Sequence, residues 1–167
     1  MNEHISDDLR HVEIFERLSD AEFLQIRALC QEIHVPAGQV IFHEGDDGDT
    51  LFLIERGCVR VSIHTLGPHN TFAQGTINML YAGQCFGEMV LLGGATRSAT
   101  ITAVDDCTLL SLKVDDFSRL CDTNPAIGYR VMHNLASDLA YKLRASNLLL
   151  RGNIRWQGDE LSRRSPR

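Results

Sequence analysis

Three hydrophobic periods divide the chain. Over residues 12–34, Phe23, Ile26, Leu29 and Ile33 recur at steps of three and four, the spacing of one helical face. Ser19 stands three residues before Glu22, the pattern of a reciprocal helix cap. This zone reads as a helical segment packed on a larger body.

From about residue 35 to 113 the period shortens. QVIFHEG, TLFLIERG, CVRVSIHTL, TINMLYAG and SATITAVDDCTLLSLKV are short runs rich in Val, Ile, Thr, Leu and Phe. Pro36, Gly38, Gly45, Gly48, Gly57, Gly67, Pro68 and Gly83 punctuate them. Short strands with turn residues at roughly 8–12-residue intervals predict a sandwich or barrel. Val59, Val61 and Ile63 alternate with Arg60 and Ser62, which predicts one buried face. LGPHNTFAQG predicts a hairpin loop.

The last zone is helical again. Asn124 suits a cap and Pro125 a first helical position. Met132, Leu135, Leu139 and Leu143 form an apolar stripe that faces the sheet domain, a second chain, or both. The helix is expected to reach about Leu150 and end near Gly152. Residues 151–167 have little periodicity and read as a basic, disordered tail, or as a docking segment anchored by Trp156.

Composition narrows the class. The 167 residues suffice for one domain, placed at 12–150, with a real core. The net charge is −6. Residues 151–167 carry five arginines against two acids, which leaves eleven bases against twenty acids, or −9, on the first 150. An acidic body is ill suited to nonspecific phosphate-backbone contact. The N-terminus lacks an apolar signal core, and no run is long enough to span a membrane. The five cysteines lie far apart, without C-x-x-C spacing, and read as reduced thiols of a cytoplasmic protein. The seven scattered histidines offer no metal-ligand spacing. No Ser-His-Asp set and no P-loop offers a reaction centre, so a non-enzyme is expected and no cofactor is implied.

One stretch carries candidate chemistry. FGEMVLLGGATRSA, residues 86–99, holds a single acid, Glu88, and a single base, Arg97. A small anionic sugar phosphate needs such a pair. Arginine presents a planar fork of donors to two phosphate oxygens. A carboxylate accepts from a ribose hydroxyl, and glycine lets the backbone approach a ligand. FGEMVLL is expected to form a short helical turn after a strand, with Glu88 in its first residues. GGATRSAT then leads into the next strand. A plainer reading stands beside this one. Glutamate is favoured in a first helical turn by the dipole alone, and Arg97 is then a surface ion-pair partner.

The stretch resembles the phosphate-binding cassette of cyclic-nucleotide-binding domains. Phe86-Gly87-Glu88, Leu91-Leu92 and Arg97-Ser98-Ala99 match that cassette in order and spacing. VPAGQVIFHEGDDGDTLFLIERGCVRV and YAGQCFGE resemble the strands before it. The likeness covers about residues 12–150. It implies a mainly β fold: an eight-stranded antiparallel double-stranded β-helix, or jelly roll, at about 35–113. An N-terminal helical segment and C-terminal helices at about 114–150, the last of them long, flank the roll. It also implies roles. Arg97, Ser98 and Ala99 would hold the cyclic phosphate, Gly87 and Glu88 the ribose, and Val61 and Ile77 the base.

The likeness has limits. The family's transcription activators carry a helix-turn-helix after the long helix, and about 17 residues are too few for one, so direct DNA binding is not expected. The Thr-Ser pair with which they read adenine is replaced by Lys142 and Leu143. Lys142 or Arg144 then covers the base, or each is solvated. The implied function is a non-catalytic sensor of cAMP or cGMP. Its C-terminal helix would relay occupancy to an unknown protein partner or to a second copy in a homodimer. The alternative is a β-roll interaction module that binds no nucleotide in the cell, or one that binds another anion such as a cyclic dinucleotide.

Overall fold

A computed structural model describes residues 12–66, 72–94 and 96–162. Eight antiparallel strands form two four-stranded sheets flanked by helices, as the resemblance implied. The strands are β1 (Gln31–Val35), β2 (Val40–Phe42), β3 (Thr50–Arg56), β4 (Cys58–Leu66), β5 (Phe72–Tyr81), β6 (Cys85–Phe86), β7 (Thr100–Ala103) and β8 (Cys107–Lys113). One sheet runs β1-β8-β3-β6 and the other β2-β7-β4-β5. The helices are α1 (Asp20–Leu29), α2 (Val114–Thr123) and α3 (Pro125–Ser162).

The cap at Ser19 forms as read. Its hydroxyl accepts from the Glu22 N–H at 3.3 Å, and the Glu22 carboxylate accepts from the Ser19 N–H at 2.9 Å. The first zone is shorter than expected, however. It holds a 3-10 turn at Glu13–Phe15, then α1, and Cys30 opens into extended backbone. Ile33 therefore lies on a strand, paired with Leu109 of β8. The roll begins at Gln31 rather than near residue 35. Ile33 fits both a four-residue step from Leu29 and a two-residue step to Val35, and pairing with a strand about 75 positions later decides between them.

The first sheet is buried on both faces, which explains the near-continuous apolar runs of β3 and β8. Leu51, Leu53, Leu110 and Leu112 face the helices and meet Phe23, Ile26, Phe117, Ile127, Val131 and Leu135. Ile54 and Leu109 face the second sheet and meet Val59, Phe86, Ile101 and Ala103. On β4, Val59 is buried and Arg60 exposed, as the alternation predicted. Ser62 departs from it. It is buried, and its hydroxyl donates to the Thr100 carbonyl at 3.5 Å. Strands β4 and β5 pair from Cys58↔Tyr81 to Leu66↔Phe72. The expected hairpin is present, although its tip, 67–71, lies outside the described residues.

Helix α3 starts at Pro125, as read, and buries Ile127, Val131 and Leu135 at four-residue steps. Met132 and Leu139 pack beside them, while Leu143 is 63% exposed. The helix does not stop near Gly152 but continues to Ser162. A single glycine costs a helix about 1 kcal/mol, too little to end one with helix formers on both sides. The Lys142 and Trp156 side chains lie outside the described residues.

Candidate functional site

The site is built around the backbone of Arg97. Between β2 and β3 runs the loop 43–49, HEGDDGD. The Asp46 carboxylate accepts from the His43 N–H at 2.8 Å and closes its first turn. The Glu44 N–H donates to the Thr100 hydroxyl at 3.0 Å. The Gly45 N–H donates to the Arg97 carbonyl, and the Arg97 N–H to the Asp46 carbonyl, both at 2.8 Å. Asp47 and Thr96 form an isolated bridge. Both main-chain polar groups of Arg97 are thus fixed by the loop.

The side chain turns inward. Arg97 is only 7% exposed, unusual for a residue that almost never loses water unless paired. Its Nη1 donates to the Thr50 carbonyl at 2.9 Å. Its guanidinium carbon lies 4.1 Å above the Phe42 ring centroid and 5.8 Å from that of Phe52. Burial pulls the guanidinium pKa down, and the carboxylates of Asp49 and Asp46 oppose that drop. The Thr50 hydroxyl, donating at 2.7 Å, holds the Asp49 carboxyl below its ordinary range. The Arg97 Nε is buried and, among the described residues, has no hydrogen-bond partner. An unmatched buried donor costs about 1–3 kcal/mol.

Two glycines make room for the cation. A Cβ on Gly48 would collide with the Arg97 guanidinium, and one on Gly87 would lie 2.6 Å from Nη1. Gly87 also has φ +75°, a left-handed conformation that a side chain strains.

Gly87 opens a 3-10 helix, Glu88–Leu92, directly after β6, and Gly93 closes it with its N–H on the Val90 carbonyl at 3.3 Å. The short turn and the place of Glu88 at its start are as the sequence predicted. Glu88 is half-buried. The guanidinium lies against Gly87, so the structure brings Arg97 beside the residue that precedes Glu88. Ser98 is exposed and Ala99 buried as the chain leads into β7.

Two further expected residues, Val61 and Ile77, lie on β4 and β5 of the second sheet. Val61 is half-buried, packs on the core between the sheets and pairs with both Asn78 and Ile101. Ile77 is the extra residue of a β-bulge opposite Val61 and Ser62, and is 58% exposed. Phe42, Gly48 and Thr50 were not singled out as site residues. Their only signal was the glycine pair Gly45 and Gly48 bracketing a polar loop. No group of three or more metal-ligating side chains occurs among the described residues. No described helix is long and apolar enough to cross a membrane.

The chain resembles known proteins in sequence and fold. A family model described as cyclic nucleotide-binding domain matches residues 32–124. The cyclic AMP receptor protein of Thermus thermophilus is 39% identical over 137 residues, covering 82% of this chain and 60% of that protein. A cyclic nucleotide-gated potassium channel of Rhizobium etli is 41% identical over 117 residues, covering 70% of this chain and 30% of the channel. The crystal structure of Thermus thermophilus catabolite activator protein superimposes with a TM-score of 0.73 at 36% identity, over 83% of this chain and 62% of that one. The chain thus spans less than two thirds of each of these relatives.

Proposed function

The chain belongs to the cyclic nucleotide-binding domain family, and we propose that it is a non-catalytic sensor of cAMP or cGMP. Arg97 pairs the cyclic phosphate, with Ser98 and Ala99 completing that cradle. Glu88 accepts from the ribose, beside the Gly87 backbone. The observation that carries this reading is the buried Arg97 guanidinium with its unmatched Nε. A phosphodiester oxygen supplies the acceptor that the fold lacks, and a charge-assisted bond of this kind contributes about 1.5–3 kcal/mol. In this reading Val61 and Ile77 line the base pocket, and Lys142 is the residue of α3 assigned to the base.

Occupancy passes to α3. The buried half of this helix is tied to the N-terminal segment, while Tyr141, Leu143 and Leu148 further along are exposed. Ligand favours one helix position through unequal affinity for two states. The exposed half hands that difference to a protein partner or to a second copy in a homodimer. In this reading the protein works in the cytoplasm and needs no cofactor.

The test is a thermal melt against cAMP, cGMP and cyclic dinucleotides. At 100 times its dissociation constant the true ligand adds about 2.7 kcal/mol, or roughly 5–10 °C for a domain of this size. A shift with a dinucleotide alone replaces the ligand. No shift with any of them replaces the sensor with a β-roll interaction module.

A further inference from the structure

Strand β2 contains a fault that aims one ring at the site. Val40 pairs with Thr102 and Phe42 with Ile101, so two residues on β2 span one step on β7. Ile41 is the extra residue of this bulge. In a regular strand Ile41 and Phe42 point to opposite faces. Here both are half-buried and pack on the same core between the sheets. A bulge re-aims side chains in this way. The result is an aromatic floor. Phe42 lies 6.0 Å from Phe52 and 5.9 Å from Phe86, centroid to centroid, and Phe52 stacks on Phe86 at 5.2 Å. The Arg97 guanidinium lies over the Phe42 ring of that floor.

We infer that Phe42 is a positioning residue for the phosphate ligand, acting through Arg97. This rests on the cyclic-nucleotide reading of the site. Two features of the geometry require such a partner. The cation has left water, yet among the described residues the one acceptor bound to its side chain is the neutral Thr50 carbonyl. The negative face of an aromatic ring stabilises a cation, most of all a desolvated one. A ring beneath the guanidinium plane also leaves its in-plane N–H groups free to donate. A carboxylate in that place would occupy the same donors and compete with the phosphate. Phe42 thus holds the Arg97 cation in place without using a donor that the ligand needs. Thr50 fixes Nη1, and Gly48 and Gly87 let the backbone close on the guanidinium where a side chain would displace it.

The test alters the ring's charge distribution while nearly preserving its shape. Residue 42 is replaced in the full chain by mono-, di- and trifluorophenylalanine, which progressively weaken the negative face. Affinity for cAMP and cGMP is measured by calorimetry, and each apo protein is melted. The expected result is a stepwise loss of affinity reaching about tenfold at three fluorines, with a stepwise fall in apo melting temperature beside it, since the same desolvated cation–π contact is present without ligand. Phe42→Tyr should bind within twofold of wild type and Phe42→Leu about tenfold more weakly. A flat fluorine series in a protein whose wild type binds nucleotide overturns the role of Phe42 and leaves the sensor intact. A wild type that binds neither nucleotide overturns both. If Phe42→Leu does not fold, the fluorinated series, whose packing is kept, still decides.

Discussion

Arg130 of α3 pairs with Glu22 of α1, 108 positions earlier, and the same carboxylate caps α1 through Ser19. One acid therefore fixes both the start of a helix and the place where a distant helix docks. The Asn134 side chain adds a second tie, donating to the Glu16 carbonyl at 2.7 Å and the Ile14 carbonyl at 3.3 Å. Movement of α3 must stretch or break these links.

The Glu22 pair gives stability a defined pH dependence. The Ser19 N–H and hydroxyl, and after them Arg130, hold the Glu22 carboxyl below its usual 4.5. A group whose folded pKa is depressed stabilises the fold above its unfolded value and loses that effect as pH falls through the folded value. Glu22→Gln should therefore melt lower than wild type at pH 7, with the gap closing below about pH 4.5. Melts from pH 3 to 8 check this, and a gap independent of pH would remove the carboxylate from the explanation. Ser19→Ala, which removes the cap hydroxyl, should cost about 1 kcal/mol.

Arg97→Lys separates charge from shape. The ammonium keeps the positive charge but lacks the planar fork, the stacking surface and the fixed donor geometry. The ligand-induced melting shift should largely disappear, with affinity falling at least about tenfold, the equivalent of one lost charge-assisted bond. Arg97→Ala should abolish the shift. The apo protein should still fold, because the substitution also removes a buried cation with an unmatched donor. An Arg97→Ala chain that is unfolded without ligand would make the arginine structural.

Gly48→Ala and Gly87→Ala should fail differently. At Gly48 the backbone lies outside the left-handed region, and the atoms nearest the added methyl are those of the Arg97 guanidinium. Binding should fall while apo melting changes little. At Gly87 the methyl meets Nη1 and also lies 3.1 Å from the Thr50 carbonyl, on a backbone at φ +75°. That conformation costs a side chain about 1–2 kcal/mol, so Gly87→Ala should lose both binding and roughly 2–8 °C of melting temperature. Paired melts and titrations distinguish the two outcomes.

The cap at Ser19, the helix start at Pro125, the short turn at Glu88 and the turn glycines were legible because each is a local pattern. The cassette was legible because its residues are consecutive. What completes the site was not. Phe42, Gly48 and Thr50 reach Arg97 from 47 to 55 positions away, and only sheet closure brings them there. β1 was hidden because Ile33 satisfies two periods at once. The orphaned Nε is a property of packing and has no sequence signal. The bulges at Ile41 and Ile77 shift residues off the alternation that a linear reading assumes.

Helix α3 supplies the last prediction. Leu135 is fully buried, whereas Leu143 and Leu148 are 63% and 67% exposed. If the exposed half is the seam of a homodimer, light scattering should give twice the chain mass of 18.7 kDa. Leu143→Glu with Leu148→Glu should halve that mass, because charges placed in an apolar seam lose water without a partner. The domain itself should keep its far-ultraviolet spectrum, since neither side chain belongs to its core. Leu135→Ala provides the contrast. It opens a cavity in the core shared by α3 and the first sheet and should cost about 2–5 kcal/mol. A wild type of single-chain mass at high concentration, with or without nucleotide, would assign the exposed leucines to a different protein, and the relay with them.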